Sequence, residues 1–62
     1  MKLTYGEQIA RTLDALFVDG RPAPTATQVA AAYPFETVDR HLAKLWMAAV
    51  SKRRQAHNAR GA

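Results

Sequence analysis

The chain has 62 residues, a formal charge of +4, 48% hydrophobic residues and no cysteine. That length admits one small domain whose core buries only about 60% of the unfolded surface, and the lack of cysteine excludes both a disulfide framework and a thiolate zinc site. Apolar runs are short, as at residues 30–33, against the ~20 residues that span a bilayer, and no basic start leads into an apolar stretch. A soluble, cytoplasmic protein with no membrane partner is expected.

Thr4-Tyr5-Gly6-Glu7 fits a capping box, in which the Thr side chain takes the amide three residues on and the Glu reaches back. Tyr5, Ile9, Leu13, Leu16 and Phe17 then recur at helical spacing as one apolar stripe. The first helix is predicted to end at Asp19-Gly20, where Gly suits a left-handed closing residue. Arg21-Pro22-Ala23-Pro24 is a stiff connector, since both prolines exclude helix and permit at most a short edge strand near Ala23. Thr25 and Gln28 fit a second capping box, followed by a brief helix from Gln28 to Tyr33 that Pro34 stops.

The third helix is predicted to start at Pro34 or Phe35, with Glu36 suiting its dipole. Phe35, Val38, Leu42, Leu45, Trp46 and Ala49 form its apolar face, and Glu36, Thr37, Arg40, Lys44 and Met47 lie opposite. It ends near Ser51 or runs on through Gln55, and from Ala56 the residues read as a loose end. The expected organisation is a helical domain over residues 1–55 and a flexible tail over residues 56–62.

The charge is unevenly placed. In residues 1–31, Lys2, Arg11 and Arg21 balance Glu7, Asp14 and Asp19. In residues 32–62, Arg40, Lys44, Lys52, Arg53, Arg54 and Arg60 face only Glu36 and Asp39, and no acid follows Asp39. Such asymmetry points to a polyanion, nucleic acid first among them. Three helices with a short second one and a basic third are the arrangement of a helix-turn-helix domain, whose third helix meets base edges in the major groove.

Residues 9–54 resemble the winged helix-turn-helix domain of bacterial and phage transcriptional regulators. The resemblance is carried by Asp19-Gly20-Arg21-Pro22-Ala23-Pro24-Thr25, by Gln28-Val29-Ala30, by Thr37-Val38-Asp39-Arg40-His41-Leu42-Ala43-Lys44-Leu45 and by Ala49-Val50-Ser51-Lys52-Arg53-Arg54. The chain departs from that pattern in a turn before Val38 that reads as shorter than usual, in Ala49 where a helix-ending Gly is customary, and in the few residues after Arg54. A degenerate wing, a basic arm or a prolonged third helix is expected in place of a full wing.

The resemblance implies an all-α or mainly α three-helix helix-turn-helix bundle, winged-helix-like with a minimal or absent wing. It implies a small sequence-specific double-stranded DNA-binding protein, a transcriptional regulator or accessory factor of a bacterium, plasmid or phage, acting at the nucleoid or in an infected host cell. Base contacts would come from Glu36, Thr37, Asp39, Arg40, His41 and Lys44, and phosphate contacts from Thr25, Thr27, Lys52, Arg53 and Arg54. A homodimer or cooperative oligomer on DNA is expected, joined through the first helix or the Trp46, Met47 and Val50 region. Two histidines with no paired carboxylate give neither a metal site nor a triad, and no Gly-rich phosphate loop is present, so no enzyme, cofactor, metal or small-molecule ligand is expected. The alternative is a small protein-binding module of the phage-inhibitor type, using Tyr33, Phe35, Trp46 and Met47 with the basic end steering it to an acidic partner.

Overall fold

The computed structural model describes residues 2–61 and contains three helices: α1 (Tyr5–Leu16), α2 (Ala26–Ala31) and α3 (Arg40–Gly61). No strand occurs among the described residues, so the fold is all-α. No helix there is long and apolar enough to cross a membrane.

Local capping sets where α1 and α2 begin. The Thr4 hydroxyl accepts the Glu7 amide at 3.1 Å and donates to the Glu7 carboxylate at 3.2 Å. At α2 both halves of the box are made: the Gln28 amide donates to the Thr25 hydroxyl at 3.2 Å, and the Thr25 amide donates to Gln28 Oε1 at 2.9 Å. Each satisfies amides that the first turn would otherwise leave without partners. Since Thr25 is the cap, α2 occupies Ala26–Ala31, two residues earlier than the 28–33 expected from its apolar residues.

The end of α1 also lies earlier than the expected Asp19-Gly20. Phe17 leaves helical geometry (φ −99°, ψ 87°) while its amide still donates to the Leu13 carbonyl at 2.8 Å, and its ring packs against the core. Gly20 instead serves the next turn, where the Arg21 amide donates to the Val18 carbonyl at 3.1 Å. Gly20 has φ +85°, the value that a type II turn requires at its third residue and that side chains resist.

The largest difference lies before α3. A helix from Pro34 or Phe35 was expected, but residues 32–39 are not helical and α3 starts at Arg40. Two interactions explain this. The Asp39 carboxylate accepts the His41 amide at 3.0 Å and the Asp39 carbonyl accepts the Ala43 amide at 2.8 Å, which makes Asp39 the cap. Phe35 is drawn instead into an edge-to-face aromatic string, with Tyr5 and Tyr33 each at 5.4 Å and Tyr33 continuing to Trp46 at 6.0 Å. Such pairs contribute about 0.5–1.5 kcal/mol each beyond their buried area. The Tyr33 hydroxyl donates to the Thr37 carbonyl at 2.9 Å and holds the connection across its middle. The link between α2 and α3 is therefore longer than a third helix starting at Pro34 or Phe35 would leave.

The core is Ile9 and Leu13 of α1, Val29 of α2, and Trp46 and Val50 of α3, with Leu42 also buried. Of the expected apolar face of α3, Leu42 and Trp46 are buried, whereas Leu45 is partly open and Val38 is 83% exposed because it precedes the helix. Val50 takes the core place assigned to Leu45.

Residues 56–61 were expected as a loose tail; they are helical, and α3 is the prolonged third helix with no wing beside it. Ala62 of that expected tail lies outside the described residues. His57 Nε2–H donates to the Arg21 carbonyl at 2.7 Å, and its ring meets Phe17 edge-on at 5.8 Å. Arg53 pairs with Asp14 at 2.5 Å and Arg60 with Asp19 at 3.4 Å. The second half of α3 is thus docked on the end of α1 and the turn after it.

Truncation after Ser51 removes these contacts and uncovers Phe17. Surface ion pairs contribute little, the buried edge and the hydrogen bond more, so the loss should be about 2–4 kcal/mol. Thermal unfolding followed by circular dichroism should show Tm falling by about 8 °C or more; an unchanged Tm would contradict the docking.

Candidate nucleic-acid interface

The core positions of α3 fix which way its other residues point. Leu42, Trp46, Val50, Arg53 and His57 recur at spacings of four, four, three and four, and each is buried or half-buried. The residues on the far side of the same helix are Arg40, His41, Lys44, Ala48, Ser51, Lys52, Gln55 and Ala59, all exposed. This outward face carries three permanent cations and no acid. At 1.5 Å per residue the 22-residue helix is about 33 Å long, which matches the longest dimension of the molecule, 34 Å.

The six cations of α3 divide into two sets. Arg53 and Arg60 are ion-paired with Asp14 and Asp19, on the side of α3 that meets α1 and the turn after it. Arg40, Lys44, Lys52 and Arg54 make no salt bridge among the described residues. Arg54 lies over the Phe17 ring, its guanidinium carbon 5.8 Å from the centroid, so part of its side chain covers the core edge. The Lys52, Arg53 and Arg54 run therefore faces three ways: Lys52 outward, Arg53 onto α1, and Arg54 onto Phe17.

The other expected site residues are placed as follows. Glu36 and Thr37 are exposed in the loop ahead of α3 and not on the helix, and Glu36 makes no salt bridge with Arg40 among the described residues. Asp39 spends a carboxylate oxygen on the His41 amide. Arg40, His41 and Lys44 stand together in the first two turns of α3. Thr25 is engaged as the cap of α2, and Thr27 is exposed in its first turn. Trp46 and Val50 are only 3% and 4% exposed, which leaves Met47, at 58%, as the one residue of the expected dimer region open to a partner.

Ser51, Gln55 and Ala59 extend the outward face beyond what the sequence suggested. The signal for them was present: no Gly or Pro interrupts residues 40–60, and the buried spacing continues through Arg53 to His57. No group of three or more His, Cys, Asp or Glu that could hold a metal ion occurs among the described residues. Every buried side-chain nitrogen or oxygen among them has a hydrogen-bond partner. Comparison with protein families, with curated proteins and with solved structures gives no match.

Replacing Asp39 with Ala removes the cap that starts α3. The expected cost is about 1 kcal/mol, with faster amide exchange at His41 and within the first turn of α3. Unchanged exchange there, measured by NMR, would show that the aromatic loop alone sets the start of the helix.

Proposed function

We propose that this protein binds double-stranded DNA through the outward face of α3, as a three-helix domain of helix-turn-helix type with a lengthened third helix in place of a wing. The observation that carries the reading is the acid-free exposed face bearing Arg40, His41, Lys44 and Lys52. A helix of about 10–12 Å diameter suits the roughly 12 Å major groove. Arg40, His41 and Lys44 stand near the N-terminal end, the part of a recognition helix that meets bases. Arg40 can grip guanine with both arms of its guanidinium, a discrimination of about 1–3 kcal/mol.

Lys52 lies 12 residues on, about 18 Å along the helix, and serves phosphate. Thr27 and Thr37 have exposed positions from which a hydroxyl can reach the backbone. Asp39 is a weaker base reader than the sequence suggested, because its carboxylate is engaged in capping. Arg53 is a weaker phosphate contact for the same kind of reason, its guanidinium being held by Asp14. One such helix offers few contacts, so binding as a pair to repeated half-sites, in transcriptional control or an accessory DNA function, is the mode that fits.

The test is duplex binding as a function of salt, with sequences selected from a random pool. Lys52→Ala should weaken all sequences alike and lower the salt slope by about 0.9. Arg40→Ala should erase the preference among sequences. Arg53→Ala should leave the slope unchanged and cost up to about 1 kcal/mol of stability through loss of its ion pair. If no duplex is retained at about 50 mM salt, or if Arg53→Ala and Lys52→Ala change the slope equally, the reading is wrong.

A further inference from the structure

Beside the outward face of α3 lies a second feature that DNA binding does not use. An open cleft of about 670 Å³ runs between α2 and α3, floored by Val29, Tyr33, Trp46 and Val50 and edged by Val38 and Met47. Val38 is 83% exposed and Met47 58% exposed, although both are apolar. The cleft is continuous with the core, because Val29, Trp46 and Val50 belong to both. We propose that it is a docking groove for an acidic amphipathic helix of a partner protein.

Charge selects this occupant over the others. Arg54 lines the cleft, and Met47, Ser51 and Arg54 follow one another along its α3 wall at spacings of four and three. The wall of the groove therefore has a cation at one end, two turns beyond an exposed apolar residue. Neither α2 nor α3 contains an acid; Glu36 and the engaged Asp39 lie only at the loop end. A second copy of this chain, itself carrying +4, would bring a like-charged wall against this one. A duplex offers no apolar ridge to fill the floor.

The α3 residues that line the cleft run from Ala43 to Arg54, 11 residues or about 17 Å along the helix, the length of a three-turn helix. Such a helix would lay apolar residues spaced by three and four onto Val29, Val38, Met47 and Val50, with a flanking carboxylate towards Arg54. Met is well suited to such a groove, since its flexible thioether adapts to the side chains it meets. The inference stands apart from DNA binding: Met47 and Val38 have no part in the proposed DNA face.

The probe is a set of synthetic helical peptides of about 14 residues, with Leu at spacings of four and three and either Glu or Lys at the flanking positions. Trp46, the single Trp of the chain, lines the cleft and reports occupancy by its fluorescence. The Glu peptide should give a saturable emission shift, and the Lys peptide should bind roughly tenfold or more weakly. Met47→Ala, which changes no charge, should weaken the Glu peptide by a similar factor while keeping the helical circular dichroism and the retention on duplex DNA; Met47→Leu should retain peptide binding.

Equal binding of the two peptides, or no saturable shift up to about 1 mM, would overturn the proposal. So would sedimentation showing a dimer of the free protein that Met47→Ala converts to monomer, since the occupant would then be a second copy. Because duplex retention is read separately on the same preparations, failure of the groove and failure of DNA binding are distinguishable.

Discussion

The burial of Trp46 decides how this small protein presents itself. The side chain is 3% exposed and sits among Ile9, Leu13, Val29 and Val50, with the Tyr33 ring 6.0 Å away edge-on. Successive residues of a helix are about 100° apart, so fixing one position fixes the direction of all the others. With Trp46 inward, Lys44, Ala48, Lys52 and Gln55 face solvent, and Met47 faces the side where α2 leaves the cleft open. The aromatic string from Tyr5 through Phe35 and Tyr33 to Trp46 ties the start of α1 and the loop to the same point, and His57, against Arg21 and Phe17, holds the same rotation further along α3.

The charge excess gains meaning once it is divided by contact. Arg53 and Arg60 meet Asp14 and Asp19, so part of the basic second half is used to fasten α3 to the neutral first half. These exposed pairs add little energy singly, yet they consume the acids on that side of the molecule. What remains as free positive charge on α3 is Arg40, Lys44 and Lys52 on the outward face and Arg54 at the cleft. The polyanion and the acidic helix proposed above are two ways of meeting one arrangement, a helix with cations on two sides and no acid anywhere along it.

Features decided by neighbours in sequence were readable before the structure. The caps at Thr4 and Thr25, the stiff connector with its prolines, and the apolar stripe of α1 depend on contacts within four residues. The start of α3 was misplaced because Glu36 and Thr37 look like a first helical turn, while the pull on Phe35 comes from Tyr5, 30 residues away. The end was misplaced for a related reason. His57 joins Arg21 across 36 residues, and a sequence read locally shows only a polar stretch there. Of the candidate site, Arg40, His41, Lys44 and Lys52 keep exposed positions on the helix. Arg53 and Asp39 are claimed by partners that only the fold reveals.

Contact between the outward face of α3 and duplex DNA would be visible in the backbone amide shifts, followed by NMR while a short duplex is added at low salt. The perturbed amides should concentrate at Arg40, His41, Lys44, Ala48, Ser51, Lys52 and Gln55, with α1 little affected. Shifts concentrated on α1, or none at duplex in molar excess, would contradict that contact.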